Sequence, residues 1–326
     1  MRVFQLIALT PPGLIDPSIA IAAGRAGELG VLNLEHTQDE KVACDAIAKM
    51  TRYARRAWGI KLDSSAPAFV DRVIRDLPEQ LEVVILTLQN PEVLRQHVPD
   101  LRQRQLTVLL EVTCLEQAQL GEQLGVDGLI AKGHEAGGWV GEETTFILLQ
   151  HLLSEINLPI WAQGGIGLHT AAACYAAGAA GVVLDSQLAL TRESQLPAAA
   201  KEALAAMDGS ETVCLGSELD RPFRMYARPG WSAVEQLREM AVTLAQDPRP
   251  QSEVLQEWRQ AVEAQVGWGA PQEHVWPLGQ DAAFAAPLAQ RYRTVGGVLG
   301  AIREAISTHI QAARTLRLLD EGAPLA

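Results

Sequence analysis

The sequence predicts an α/β protein built as a (β/α)8 TIM barrel with a C-terminal helical extension. Eight short apolar segments, rich in Val, Ile and Leu, alternate with helical segments over residues 1–190, and this alternation indicates a parallel sheet. Glycine-rich turns follow the seventh and eighth segments, where such barrels form a phosphate site. An open doubly wound sheet would carry G-x-G-x-x-G after its first strand, and Thr10-Pro11-Pro12-Gly13 does not match that pattern.

Turn and capping residues delimit the predicted strands and the helices between them. Pro11 ends the first strand, Asp16 can cap the next helix with Pro17 at its first position, and Pro91 opens a later helix. The predicted strands cover residues 3–9, 30–34, 59–62, 81–88, 106–112, 125–131, 158–163 and 178–184. The predicted helices cover 17–27, 38–56, 67–75, a segment from 91, 115–124, 142–156 and 168–177.

The pattern changes after about Arg192, where helices separated by Gly- and Pro-rich loops replace the alternation. These helices are predicted at 198–207, 232–245, 253–266 and 295–319. We therefore expect two units: a barrel over residues 1–190 and a helical extension over 191–326 that packs on it.

Composition excludes several classes of function. The formal net charge of −12 argues against nucleic acid or an anionic membrane as a partner. The four cysteines are widely spaced without a C-x-x-C pair, which indicates a reducing compartment, and no His/Cys/Asp spacing is typical of a metal site. We find neither a signal peptide nor an apolar run long enough for a membrane span, so we expect a cytoplasmic protein.

Three consecutive strand ends contain the candidate phosphate site. Gly164, Gly165 and Gly167 follow the seventh strand, and the next helix starts with free N–H groups that can bind an anion. A tight turn alone would explain these glycines. The Gly137-Gly138 pair one strand earlier and Asp185-Ser186 one strand later favour phosphate, although the Asp185 carboxylate would repel a phosphate unless it points away.

The segment Gly133-His134-Glu135-Ala136-Gly137-Gly138-Trp139 resembles the G-x-E-[AS]-G-G-H motif of the nitronate monooxygenase superfamily. These FMN-binding barrels include flavin-dependent enoyl reductases and related domains of polyketide and polyunsaturated fatty-acid synthases. Trp139 stands where the family has a catalytic His, so the resemblance bears more on fold and cofactor than on reaction. Gly279-Gln280 is similar to a late Gly-Gln pair of the family.

The resemblance implies that the cofactor is FMN, with NAD(P)H as reductant. One phosphate site is visible, and no second Gly-rich turn exists for the pyrophosphate of FAD. Glu135 would hold the glycine loop by accepting backbone N–H bonds. The expected FMN-binding residues are Ala8, Lys61, Gly137, Gly138, Gln163, Gly164, Gly165, Asp185 and Ser186.

Three residues are candidates for catalysis: His134, Trp139 and Glu111. His134 lies five residues before Trp139 and is the first candidate for a proton donor; a loop hydrogen bond is the alternative. Glu111 interrupts an apolar strand, so it should be paired, for example with Lys61, unless it lies in water at the rim. Trp139 would shape the acyl pocket or cover the flavin.

Three functions remain open. The first is an FMN oxidoreductase acting on an acyl thioester, for example one on an acyl carrier protein, as an enoyl reductase in polyketide or fatty-acid synthesis. The Glu142–Thr145 run, which is similar to the reductase branch, and the end of the chain at Ala326 favour this first function. We expect the protein to be a homodimer or part of a multidomain synthase. The second is nitronate monooxygenase-type oxidation. The third is a catalytically silent docking barrel.

Overall fold

A computed structural model describes residues 3–37 and 39–315 and confirms the predicted barrel. Eight parallel strands close into a ring in the order β1-β2-β3-β4-β5-β6-β8-β9, with β9 paired to β1. The strands are β1 (Gln5–Leu9), β2 (Leu29–Asn33), β3 (Trp58–Leu62), β4 (Leu81–Thr87), β5 (Thr107–Val112), β6 (Gly128–Lys132), β7 (Gly138–Trp139), β8 (Ile160–Gln163), β9 (Gly181–Leu184), β10 (Thr212–Leu215) and β11 (Phe223–Tyr226).

The helices agree closely with the sequence pattern inside the barrel. They are α1 (Ser18–Arg25), α2 (Glu40–Tyr53), α3 (Pro67–Arg75), α4 (Pro91–Gln103), α5 (Leu115–Leu124), α6 (Thr145–Glu155), α7 (Thr170–Ala177), α8 (Ala198–Ala205), α9 (Ser232–Ala245), α10 (Gln251–Gln265), α11 (Ala285–Tyr292) and α12 (Val295–Thr315). Residues 316–326, which include the predicted end of the last helix, lie outside the described residues. In the described part, no helix combines the length and apolarity needed to cross a membrane.

The barrel strands are apolar because both of their faces are covered. Successive side chains alternate between the outer helices and the barrel interior. In β1, Leu6 and Ala8 pack with the helices, whereas Ile7 and Leu9 belong to the inner cluster. The same alternation places Lys61 of β3 and Glu111 of β5 on the inward face, because their neighbours Ile60 and Leu110 pack outward.

The extension contains more than helices, which corrects the sequence-based description. Strands β10 and β11 form an antiparallel pair, and β11 continues onto β7, which belongs to the glycine motif. These strands are only four residues long, too short for alternation to reveal them. A second buried cluster forms between this sheet and α9 and α10, and it includes Trp139, Trp258 and Trp276. Helix α12 returns to pack on α7 and α1; the division at residue 190 stays a prediction.

Substitution of Gly181 tests the close contact between β9 and β1 that closes the barrel. A Cβ at this position of β9 would lie 2.1 Å from the Gln5 carbonyl oxygen and 2.6 Å from the Trp161 ring. Gly181→Ala should therefore lower the free energy of unfolding by about 1–3 kcal/mol, as overpacking does. The control is Gly24→Ala in α1, where a Cβ meets nothing within 4 Å and should stabilise by about 0.5–1 kcal/mol. Urea denaturation measures both, and equal effects would contradict the closure argument.

Candidate active site

The C-terminal ends of the barrel strands present a layer of polar side chains to the barrel interior. Strands β2, β4, β6 and β8 end in inward polar residues, β3 and β5 have one at the position before the last, and the residue after β9 continues the layer. These residues are Asn33, Lys61, Thr87, Glu111, Lys132, Gln163 and Asp185, and each of them is at least nine-tenths buried. Strand period two produces this layer, because the outward positions beside them are filled by apolar residues that face the helices.

Four buried charges form an ion network at the centre of this layer. The Lys61 ammonium lies 2.7 Å from Glu35 and 2.5 Å from Glu111, and Lys132 lies 3.3 Å from the other oxygen of Glu111. Burial alone would raise the pKa of Glu35, but Lys61 and Lys132 outweigh it and lower the pKa to about 2. Burial would lower the pKa of Lys61, and Glu111 and Glu35 raise it instead. The network therefore holds Glu35 and Lys61 in their charged forms.

His36 lies beside the network in an unusual backbone conformation. Its φ of 60° is in the left-handed region, and its ring packs edge-on against Phe223 at 6.0 Å. Burial lowers its pKa, although Glu35 and Asp63 oppose that shift. Its Nδ1 atom is buried and has no hydrogen-bond partner among the described residues.

The glycine motif is held by side chains of its own loop and of the extension. Glu135 accepts the Thr145 N–H at 3.1 Å, which agrees with the role predicted for it. The Nδ1 atom of His134 lies 2.7 Å from the Gly141 carbonyl oxygen, so Nδ1 carries the proton. Arg224 donates to the His134 carbonyl oxygen at 2.7 Å. These contacts make His134 a tether of the loop; its catalytic role stays a prediction.

The turns after β8 and β9 are occupied by side chains of the protein itself. Gly164 and Gly165 have φ values of 109° and 62°, which favour glycine. The Ser186 N–H donates to Asp185 Oδ1 at 2.5 Å, and Gln163 Nε2 donates to Asp185 Oδ2 at 2.8 Å.

A second buried carboxylate, Asp281, lies at the same turns. It accepts a hydrogen bond from Gln187 Nε2 at 2.9 Å. Burial raises its pKa well above the usual value, and Asp185 and Glu135 raise it further. Its other carboxylate oxygen, Oδ1, is buried and unpartnered within residues 3–37 and 39–315.

The structure brings many of the predicted site residues together but leaves little space between them. Lys61, Gly137, Gly138, Gln163 and Asp185 all line one small cavity of about 10 Å³ at the barrel mouth. The side chain of Ala8 instead faces the helices. The sequence reasoning missed Glu35, Lys132 and Asp281. The inward alternation of β6 could have revealed Lys132, but the positions of the other two depend on loops.

Glu111 and Trp139, two of the candidate catalytic residues, line a larger groove beside the mouth. Its volume is about 380 Å³. A neighbouring cavity of about 250 Å³ shares Gln89, Trp139 and Arg221 with it. Trp139 packs edge-on against Phe223 at 4.8 Å, which places the motif tryptophan in the groove wall. No group of three or more His, Cys, Asp or Glu side chains in the described ranges is arranged to hold a metal ion.

Comparison with known proteins identifies the family. Residues 16–286 match the family model of nitronate monooxygenase, so the chain belongs to this family of oxidoreductases. The match supports a flavin-dependent oxidoreductase, as the motif resemblance implied.

Curated relatives match over part of the chain. One from Rhodococcus jostii, a (3aS,4S,5R,7aS)-5-hydroxy-7a-methyl-1-oxo-octahydro-1H-indene-4-carboxyl-CoA dehydrogenase, is 29% identical over 57% of this chain and 52% of its own length. A probable nitronate monooxygenase from Staphylococcus saprophyticus is 28% identical over 48% of this chain and 47% of its own length. The chain thus spans about half the length of these relatives.

Solved structures share the fold over nearly the whole chain. FabK from Thermotoga maritima has a TM-score of 0.78 at 23% identity, covering 94% of both chains. The enoyl reductase domain of MlnA from the macrolactin cluster of Bacillus amyloliquefaciens has a TM-score of 0.70 at 13% identity, covering 95% of this chain and 96% of that domain. At these identities the likeness shows the fold alone.

The residues at the mouth, as arranged here, do not fit the flavin that the family uses. Small-molecule sites typically enclose about 300–1,000 Å³, whereas the mouth cavity has about 10 Å³. The carboxyl groups of Asp185 and Asp281 stand at the turns where a phosphate would bind, and the negative field that adds to burial in raising the pKa of Asp281 also disfavours a phosphate dianion. Lys61 and Lys132, the cations of the mouth, are already paired with Glu35 and Glu111.

Removing Lys61 should expose how much the fold depends on the ion network. Lys61→Met leaves Glu35 and Glu111 buried without their shared cation, and breaking a buried pair typically costs about 3–5 kcal/mol. Urea denaturation should show a fall of this size in the free energy of unfolding. Arg95→Met is the control, because Arg95 and Glu92 form an exposed pair on α4 that contributes little. A loss no larger than the control's would contradict a structural role for the network.

Asp281→Asn should change the pH dependence of stability. Because folding raises the pKa of Asp281, the unfolded chain ionises first as pH rises, and the wild type loses stability until the folded carboxyl also ionises. Asparagine removes this loss and still accepts from Gln187. In urea denaturation, the free energy of unfolding of the variant should equal that of the wild type at about pH 4 and be larger than it at about pH 8. If the difference in unfolding free energy between variant and wild type is the same at both pH values, the pKa of Asp281 does not change on folding.

Proposed function

We propose that this member of the nitronate monooxygenase family is an oxidoreductase acting on an acyl thioester that lies in the groove beside the barrel mouth. The main support for this proposal is the position of the groove. Its lining includes Glu111, whose other contacts are Lys61 and Lys132 of the ion network, and Arg221 on the extension. A ligand in the groove would therefore meet the C-terminal face of the barrel, where enzymes of this fold carry out their chemistry.

The walls of the groove suit the chemistry of a pantetheine thioester. Thr87, Thr113 and Gln117 offer polar groups for the amides of the arm, while Trp139 and Val140 offer apolar surface for the acyl chain. Arg221 provides a cation for the phosphates of CoA or of a carrier-linked arm. Its backbone carbonyl accepts from Trp258, which fixes this segment on α10. The Rhodococcus relative, a carboxyl-CoA dehydrogenase, supports a thioester substrate.

Enoyl reduction is the first candidate reaction. It adds a hydride to the β-carbon and a proton to the α-carbon, with NAD(P)H as the source of the hydride. FMN is the flavin that the motif implies, although its phosphate does not fit the turns as described. Both oxygens of Glu111 bind lysine ammonium groups, so we assign Glu111 to holding the mouth rather than to proton delivery. Nitronate oxidation is less well supported, because Trp139 replaces the motif His.

A second candidate is a barrel that binds the thioester without turning it over. The specific observation in its favour is the closed mouth, with about 10 Å³ between the residues expected to face the cofactor. Both candidates share the groove and differ only in turnover. Oxidation of NADPH that depends on a crotonyl thioester would support the reductase. Binding without such oxidation, even with added FMN, would support the docking barrel.

Charge reversal at Arg221 tests the groove itself. Arg221→Glu should weaken binding of crotonyl-CoA by about tenfold or more, as loss of a charge-assisted hydrogen bond does, and leave crotonyl-pantetheine, which lacks the phosphates, little changed. Isothermal titration calorimetry measures both ligands. The matched control is Arg238→Glu on the outer part of α9, next to Glu235. If wild-type protein binds neither ligand, or if both reversals act alike, the groove is not the thioester site.

A further inference from the structure

We infer that the carboxylates of Asp185 and Asp281 take the place of the flavin phosphate, so that this barrel gains no flavin affinity from a phosphate group. The inference rests on the family's flavin and on no property of the thioester groove. In (β/α)8 barrels the phosphate binds to backbone N–H groups of the turns after the seventh and eighth strands. Here these turns are Gly164–Gly167 after β8 and Asp185–Ser186 after β9.

Three N–H groups of these turns already donate to side chains of the protein. The Ser186 N–H donates to Asp185 Oδ1 at 2.5 Å, and the Asp185 N–H donates to Gln187 Oε1 at 2.8 Å. The Gly167 N–H donates to Thr170 Oγ1 at 2.7 Å. A phosphate would have to break these contacts before it could accept the same hydrogen bonds.

The electrostatic field at the turns is also unfavourable to an anion. Asp281 is 1% exposed and Asp185 is 6% exposed, so water screens them little. A third carboxylate, Glu135, reaches the same turn, because an added Cβ at Gly165 would lie 3.2 Å from Glu135 Oε1. In addition to burial, Asp185 and Glu135 already raise the pKa of Asp281, and a phosphate dianion placed beside them would meet the same repulsion in a poorly solvated site.

No facing cation offsets these carboxylates in the described part of the chain. Arg224 is a basic group near these carboxylates, and it donates to the His134 carbonyl oxygen and to Thr212 Oγ1. Its charge influences Glu135 and Asp281 without a direct bond. Lys61 and Lys132 are held by Glu35 and Glu111.

The loop that carries Asp281 is pressed against the glycine motif. An added Cβ at Gly137 would lie 2.5 Å from the Pro277 carbonyl oxygen and 2.8 Å from the Gly279 nitrogen. The Gln280 N–H donates to the Glu135 carbonyl oxygen at 2.8 Å. Asp281 is therefore held at the turn by its own backbone, and a phosphate cannot displace it by rotation of one side chain alone.

Flavin binding with and without the phosphate tests the inference. Affinities for FMN and riboflavin would be measured by quenching of flavin fluorescence, on the full chain and on Asp185→Asn/Asp281→Asn, whose fold is checked by circular dichroism. Wild-type protein should bind FMN no more tightly than riboflavin. The double variant should prefer FMN by at least about tenfold, because positions 185 and 281 can then carry no negative charge beside the phosphate. Asp100→Asn, at an exposed ion pair on α4, removes one charge far from the turns and should create no preference.

Two outcomes would overturn the inference. One is wild-type protein that retains stoichiometric FMN on purification or prefers FMN over riboflavin. The other is a folded double variant that shows no preference for FMN. Crotonyl-CoA titration of the same samples separates this result from the proposed function, because the groove residues include neither Asp185 nor Asp281.

Discussion

The ion network of Lys61 with Glu35, Glu111 and Lys132 is the constraint on which the rest of the barrel mouth depends. Each of these charges has lost most of its hydration, and such a cost is offset only when the geometry is good and the partners remain in place. Lys61 is 1% exposed and contacts two carboxylates, so it ties strand β3 to β5 and to the segment after β2. Lys61 cannot turn toward a ligand without breaking its contacts with Glu35 and Glu111, and this would leave buried charges unpaired.

This constraint explains why the mouth and the groove differ so much in volume. Inside the ring of strands, Lys61 and Lys132 are paired with Glu35 and Glu111. The turns after β8 and β9 carry further carboxyl groups. Outside the ring, beyond Glu111, the walls come from loops and from the extension, and there the space opens to about 380 Å³. The space for a ligand is therefore on the groove side, where Arg221 lies together with Glu111, Glu142, Glu143 and Asp220.

The sequence predicted the barrel well because its strands are buried on both faces and are bounded by turn residues. Helices α3, α5 and α9 begin and end where the pattern placed them, and the possible pairing of Glu111 with Lys61 is confirmed. The rest depended on distant contacts. Strands β10 and β11 are too short to show alternation. Asp281 reaches the phosphate turns only because its loop folds back onto Gly137, and this contact cannot be predicted from composition or motif spacing.

Trp139 gives the glycine motif a structural role at the position where the family has a histidine. In this chain the tryptophan belongs to the buried cluster of the extension, and its strand pairs with Phe223 and Arg224 of β11. The glycine loop is thereby held on one side by Glu135 and His134 and on the other by the extension. A loop held in this way presents its backbone rigidly. Glu111 in the groove is held by two lysines, but other ionisable side chains line it beside Trp139, among them Glu142, Glu143 and Asp220. A proton required by a reaction in the groove would therefore have to come from one of these outer carboxyl groups, from His134, from water or from the ligand, which links chemistry at this site to how far the groove excludes solvent.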